Sequence, residues 1–330
     1  MLPSSIPSES TASESPVDSL DTETCRSLRV DHYNATLIKR IDIHDDLFRI
    51  RVRPDAGIRT FEPGQYVAVG LGNWEPRLQP SQVEDLEPKK KSKVVRRAYS
   101  ISCPMIAADD TLAPCEKLDY LEFYIALVRH ASDPSGKPPA LTPRMFGLNE
   151  GDRLVVESKI TGHYTLAGVN SGDTVLMLST GTGEAPHNAM AAHLLNRGHH
   201  GKIINATTVR SKSDLGYQSE HARLERLFPQ YRYLAMTTRD PENLDPAHPQ
   251  YVGKQYLQDL FTSGKLAEMA GDPLDPANTH VFLCGNPAMI GLVKAGEPIP
   301  SRPGMLPLLA AAGFVNEETG PGHVRFEKYW

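Results

Sequence analysis

Near residue 172 the apolar residues change their period, and this constrains the fold more than any other feature of the chain. Before that point apolar and polar residues alternate. In "LFRIRVRP" Phe48, Ile50 and Val52 are interleaved with Arg49, Arg51 and Arg53, as a strand with one buried face requires. "GQYVAVGL" (64–71), "RRAYSIS" (96–102), "YLEFYIALV" (120–128) and "DRLVVES" (152–158) continue the pattern between Gly and Pro turns, which predicts an antiparallel barrel or sandwich. After residue 172 fully apolar strands alternate with helical stretches. "TVLMLS" is followed by the tight "GTGEAP" and the helix "HNAMAAHLLNRG", ending at Gly198. The strands "IINATTV", "RYLAMTT" and "HVFLCGN" then precede helices at about 217–228, 253–261 and 287–295. Such alternation predicts parallel βαβ units with ligand sites at the C-terminal ends of the strands.

A chain of 330 residues exceeds what one core usually serves, so a two-domain α+β organisation is expected: a tail at 1–27, one domain at 28–170 and another at 171–330. The tail is Ser-, Pro- and Glu-rich and is expected to be disordered. A net charge of −5 lacks the basic excess that nucleic-acid binding favours, and no apolar run approaches the ~20 residues of a membrane span. A soluble, unexported protein is expected. Cys25, Cys103, Cys115 and Cys284 form no C-x-x-C pair, which speaks against a cluster, a structural zinc or a disulfide framework and fits a reducing cytoplasm. No H-E-x-x-H occurs, and adjacent His199 and His200 point apart, so no metal site is expected. Two stretches, 72–93 and 130–139, read as long loops, which are usually functional or disordered.

Several motifs carry chemistry, and each has a plainer alternative. In "STGTGEAP" Gly181 and Gly183 permit close backbone approach at a helix N-terminus suited to phosphate, although Pro186 stands where a third glycine would complete the dinucleotide fingerprint. A sharp strand-to-helix turn explains the same glycines. Arg210 and Arg239 each follow a parallel strand, with Lys254 a possible third cation; they suit a 2′-phosphate, hence NADP over NAD, or are solvated charge. In "CGNP" Asn286 and Pro287 form a good helix start, while Cys284 is either a small buried apolar residue or a crevice group. "RRAYSIS" places a cation (Arg97), a flat ring (Tyr99) and a hydroxyl (Ser100) within four residues. The closing "GHVRFEKYW" sets two aromatics, Tyr329 and Trp330, to cover something flat or to anchor a last strand. The basic run "KKKSKVVRR" is a docking patch or a solvated surface.

Together, R-x-Y-S, G-T-G-x-A-P, C-G-N-P and a terminal E-x-Y-W resemble the ferredoxin–NADP⁺ reductase family, bacterial type with terminal Tyr-Trp, over about residues 28–330. The resemblance implies an FAD-binding antiparallel β-barrel followed by a Rossmann-like parallel α/β NADP-binding domain whose C-terminal tail returns to the flavin. On the FAD side it implies Arg97 at the pyrophosphate, Tyr99 on one flavin face, Ser100 near N5, a contact from Ala98, a flavin-side contact from Thr182, and two segments that wrap the ribityl-diphosphate: Tyr124, Ile125, Ala126 and Leu127, and Ala140, Leu141 and Thr142. Tyr329 and Trp330 would cover the other face and the adenine. On the NADP side it implies Gly181, Gly183, Val209, Arg210, Thr238, Arg239, Lys254 (where relatives carry arginine), and the strand end Phe282, Leu283, Cys284, Gly285 and Asn286. Ser100, Cys284, Glu327 and a mobile Tyr329 would line the reaction centre. The activity implied is hydride transfer between NADPH and FAD coupled to one-electron exchange with ferredoxin or flavodoxin, by a cytoplasmic monomer. Two readings compete with it: another NAD(P)H-dependent flavin, siderophore or oxygenase reductase on the same plan, and a nucleotide-binding module without redox turnover. The acidic tail and the two long loops have no counterpart in compact bacterial members.

Overall fold

The computed structural model describes residues 20–133, 135–292, 301–318 and 322–328. Strands β1 (Ala35–His44), β2 (Leu47–Pro54), β3 (Tyr66–Gly72), β4 (Val94–Ser100), β5 (Leu121–Ala126) and β6 (Arg153–Thr161) pair antiparallel in the order β4-β3-β6-β1-β2-β5. Just beyond β4, Ser102 N donates to Glu122 O at 2.9 Å, so the two edge strands meet and the sheet curls toward a barrel. The alternation in β2 works as expected on its apolar face, where Phe48, Ile50 and Val52 are buried beside Leu37, Val67, Val69 and Phe123. Its polar face is not simply solvated. Arg49 pairs with Glu220 of the second sheet's layer at 2.5 Å, and Arg51 with Glu122 at 2.8 Å.

The second sheet is wholly parallel: β7 (Thr174–Thr180), β8 (Ile203–Val209), β9 (Tyr231–Thr237), β10 (Thr279–Gly285) and β11 (Val324–Lys328), in the order β11-β10-β7-β8-β9. Every residue of β8 and β10 is buried, as strands covered on both faces should be. The helices Glu184–Asn196, Gln218–Leu227 and Leu257–Thr262 lie between these strands in the chain. After β7 the chain winds outward through β8 and β9, then returns to lay β10 on the other side of β7. That reversal opens a crevice at the C-terminal ends of β7 and β10.

Four expectations need correction. Part of the stretch read as a disordered tail is ordered, with a helix at Thr22–His32 capped by Asp21, which accepts from Thr24 N at 2.8 Å. No residue of that helix is buried; it is tied down by polar contacts, Arg29 meeting Glu75 with two 2.8 Å hydrogen bonds while Tyr33 donates to the same carboxylate at 2.7 Å. A composition argument cannot see such ties. Residues 1–19 lie outside the described residues. The helix expected at 253–261 runs Leu257–Thr262, and that expected at 287–295 is a single turn at Pro287–Ile290, with 293–300 outside the described residues.

The cysteines also depart from expectation. Cys103 and Cys115 form a disulfide with their Cα atoms 5.7 Å apart. The chain between them folds back through the Ile106–Leu112 bridge, and Ala113 N donates to Met105 O at 2.9 Å. Two cysteines twelve residues apart meet only if the intervening segment doubles back, and no local spacing rule reports that. Cysteine usage therefore no longer speaks for a reducing compartment.

Candidate functional site

The first cleft, about 630 Å³, opens beside the edge strand β4. Register places Tyr66 opposite Ser100 across β3 and β4, so both reach the same end of the sheet. Arg97, Ala98, Tyr99 and Ser100 form one side of the cleft; Tyr124, Ile125, Ala126 and Val128 form the floor, and Pro139, Ala140, Leu141 and Thr142 a further wall. Glu327 of β11 and Thr182 close it from the parallel sheet. Tyr99 packs edge-on against Phe123 with centroids 6.3 Å apart, which fixes its ring plane. Burial pushes the Tyr99 phenol up, against a smaller opposing effect of Arg97, so the ring is neutral at physiological pH.

The second cleft, about 760 Å³, lies in the crevice of the parallel sheet. Its walls are strand ends: Thr180 to Thr182 after β7, Thr208 to Arg210 at β8, Thr238 after β9 and Gly285 to Met289 after β10. Two glycines make the crevice possible. A Cβ on Gly183 would lie 2.4 Å from the Cys284 carbonyl oxygen, and Gly285, at φ +124°, would carry a Cβ 2.4 Å from Thr180 Oγ1. Asn286 caps the turn that follows, its side chain accepting from Ala288 N at 2.9 Å while its own N donates to Thr180 Oγ1 at 2.7 Å. Arg210 is exposed, with Nε 3.3 Å from Asp214 Oδ2.

The two clefts share Tyr124, Ala126 and Thr182. Tyr124, from β5, donates to Asp214 O at 2.7 Å and accepts from Gly216 N at 3.0 Å, pinning one sheet's layer to the other beside both cavities. Behind it Tyr217 donates to Glu122 Oε1 at 2.8 Å, lies 2.9 Å from Ser102 Oγ, and is covered by the Arg49 guanidinium at 4.3 Å. Burial pushes the Glu220 carboxyl up, and its ion pair with Arg49 only partly offsets that.

The residues singled out from sequence divide clearly. Arg97, Ala98, Tyr99, Ser100, Tyr124, Ile125, Ala126, Ala140, Leu141, Thr142, Thr182 and Glu327 line the first cleft. Gly181, Leu127, Val209, Arg210, Thr238, Gly285 and Asn286 line the second. Gly183 lies beneath it against the Cys284 carbonyl. Phe282, Leu283 and Cys284 line neither cleft: their side chains are fully buried in the core, because β10 is covered on both faces up to Gly285. Arg239 and Lys254 are exposed and outside both linings; the Arg239 amide instead donates to Arg210 O at 2.8 Å, tying two strand ends together. Tyr329 and Trp330 lie outside the described residues. Sequence reasoning missed Tyr66 in the first cleft and Asp214, Tyr256 and Arg302 in the second. Arg302 stacks over Tyr256 at 3.8 Å and comes from a segment with no strand or helix signal.

The fold and paired clefts define a class by architecture, an antiparallel barrel-like sheet followed by a parallel α/β sheet; within the second part, residues 177–295 match the family model described as an oxidoreductase NAD-binding domain. The chain is 28% identical over 271 residues to a ferredoxin–NADP reductase of Azotobacter vinelandii, covering 80% of this chain and 84% of that one. It is 27% identical over 270 residues to a ferredoxin–NADP reductase of Pseudomonas aeruginosa, covering 81% and 85%. Among solved structures it superposes on a ferredoxin NADP⁺ reductase from Neisseria gonorrhoeae with bound FAD and NADP, at TM-score 0.65 and 19% identity, over 90% of this chain and 98% of that one. The chain is thus similar to ferredoxin–NADP reductases over most of its length.

Proposed function

We propose that the protein is an FAD-dependent NADPH oxidoreductase, a ferredoxin- or flavodoxin–NADP⁺ reductase, with the flavin in the first cleft and the nucleotide in the second. The observation that carries this is the shared wall: two cavities of ligand size meet at Tyr124, Ala126 and Thr182, so two ligands can abut there. The residues fit the groups. The first cleft combines a guanidinium, a neutral phenol ring held edge-on by Phe123, a buried hydroxyl and an apolar floor. The second offers backbone that a Cβ at Gly183 or Gly285 would obstruct, together with the exposed Arg210.

FAD held in the first cleft would supply hydride exchange with a nicotinamide and the release of single electrons. The chain supplies position and electrostatics. Arg97 holds phosphate, the Tyr99 ring stacks on one face of the flat group, and Ser100 offers a hydroxyl to its polar edge. Gly183 and Gly285 let the nucleotide approach the strand ends, and Arg210 turns from Asp214 to a 2′-phosphate. Arg239 and Lys254 are proposed as outer cations, and Glu327, which lines the first cleft, as the reaction-centre group; Cys284 contributes only the buried backbone carbonyl against which Gly183 packs. Tyr329 and Trp330 would cover the flavin's free face and adenine. The domains are taken as 28–170 and 171–330.

The partner is a small acidic electron carrier. Lys89 and Lys90 are exposed near β4, each about 3 Å from Glu87, so part of the patch is neutralised and the remainder acts by steering. Asp214 beside Arg210 is the one observation that favours an NADH-dependent reductase of the same plan. Anaerobic titration of the purified yellow protein tests the reading: NADPH should bleach the flavin faster than NADH, and added ferredoxin or flavodoxin should restore the colour. A protein that stays colourless after incubation with FAD would reject it.

A further inference from the structure

The long loops 72–93 and 130–139, which the sequence leaves without a role, lock together. Gln82 N donates to Arg129 O at 2.8 Å, Gln82 Oε1 accepts from Ala131 N at 2.8 Å, and Arg129 Nη1 donates to Pro80 O at 3.0 Å. From there the 72–93 loop reaches the wall of the first cleft formed by Pro139, Ala140, Leu141 and Thr142. That wall enters through Pro138 and Pro139 and belongs to no strand, so no ladder satisfies its carbonyls. Two of them, and the carbonyl of the adjoining Pro143, are satisfied by the loop and by Arg144. Arg77 Nη2 donates to Pro139 O at 3.0 Å, Arg144 Nη1 to Ala140 O at 2.5 Å, and Leu78 N to Pro143 O at 2.8 Å.

One carboxylate organises both arginines. Glu84 Oε2 lies 2.6 Å from Arg144 Nη2 and 3.2 Å from Arg77 Nη1, with side-chain exposures of 8%, 3% and 11% for Glu84, Arg144 and Arg77. The buried Arg144 guanidinium and the largely buried Arg77 guanidinium thus share a single negative charge; both Nε atoms and Arg77 Nη1 make no hydrogen bond, so Glu84 holds Arg77 as an ion pair. Without Glu84 nothing else among the described residues offers these two cations a carboxylate. The surplus positive charge sits directly behind a ligand wall, where it favours an anionic group on the other side.

We propose that the 72–93 loop is a strap that sets the phosphate-side wall of the flavin cleft, with Glu84 as its positioning residue: the Arg77–Glu84–Arg144 cluster fixes the 139–143 backbone against which the ligand's phosphates are held. The proposal rests on the flavin reading above. It makes Glu84 matter to phosphate-bearing flavins and not to the ring system.

The test is flavin binding by the full-length protein after flavin removal, with FAD and riboflavin compared by quenching of flavin fluorescence. Glu84→Gln adds to the positive charge behind the wall but frees both guanidiniums from their shared anchor; the displaced backbone should outweigh the charge and raise the FAD dissociation constant on the order of tenfold, while that of riboflavin stays within about twofold. Glu84→Asp should recover part of the loss. Unchanged FAD affinity, or equal loss for FAD and riboflavin, would overturn the proposal, since a merely loosened domain weakens both. If Glu84→Gln does not fold, Arg77→Gln, which keeps the Glu84–Arg144 pair, should weaken FAD about threefold and spare riboflavin; no selective loss there would overturn it equally. A wild-type chain that takes up no FAD would sink the flavin reading itself, whereas wild-type uptake with indifferent variants sinks only the strap.

Discussion

The two clefts are built on opposite principles. The first takes its reactive side from one edge strand, where Arg97, Tyr99 and Ser100 follow one another and the backbone spacing is set by pairing with β3. The second is assembled from the ends of four strands and from a later segment bearing Arg302, so its geometry depends on how closely separate backbones approach. A strand-borne site tolerates side-chain change locally. A crevice between strand ends fails when its backbone spacing fails.

The sharpest way to break that contrast is Gly183→Val, because the added Cβ meets the Cys284 carbonyl and both neighbours are buried backbone. NADPH-driven flavin reduction should fall by about a hundredfold while bound flavin remains, as stopped-flow absorbance would show. Flavin loss in step with activity would mean that the clefts are not separable. The converse variant, Arg97→Met, should weaken FAD retention by roughly thirtyfold with little change in nucleotide affinity, measured by flavin release on dilution.

Acid should distinguish the regions by stability. His187, on the helix after β7, is fully buried with Nε2 2.7 Å from the Tyr164 hydroxyl, and burial lowers its pKa to about 3. In the unfolded chain it titrates near the ordinary imidazole value of 6.5, so between those values the unfolded state binds the extra proton and stability falls as pH falls. The loss should reach about 2 kcal/mol by pH 5, at about 1.4 kcal/mol per pH unit. Denaturant melts of the wild type and His187→Gln at pH 7 and pH 5 would show it as a smaller pH effect in the variant. The smallest effect expected is from Arg210→Ala, which leaves an exposed position. The KM for NADPH should rise about fivefold and that for NADH stay level in steady-state assays; equal changes would remove Arg210 from 2′-phosphate recognition.

The same contrast explains what could be read from the chain. Both sheets were legible, because alternation in β2 and unbroken apolarity in β8 and β10 are direct consequences of one or two buried faces. In the first cleft the run from Arg97 to Ser100 was legible as a group because its residues are neighbours in sequence, whereas Tyr124, Ala140 to Thr142, Thr182 and Glu327 come from distant stretches and follow only from the resemblance. Arg239 follows a strand and Lys254 lies well beyond it, but position along the chain does not say which way a long side chain turns, and both are exposed outside the two linings. Arg302 and Asp214 reach the second cleft from segments without periodicity. Cys103 and Cys115, the ordered Thr22–His32 helix and the Glu84 cluster all rest on long-range polar or covalent partners, which hydrophobic patterning does not encode.

Tyr124 is the post between two rooms. Because its hydroxyl is gripped on the far side by Asp214 and Gly216, the ring cannot lean without altering both doorways at once. A change in the tilt of that one ring would therefore reshape both chambers together, with no hinge required.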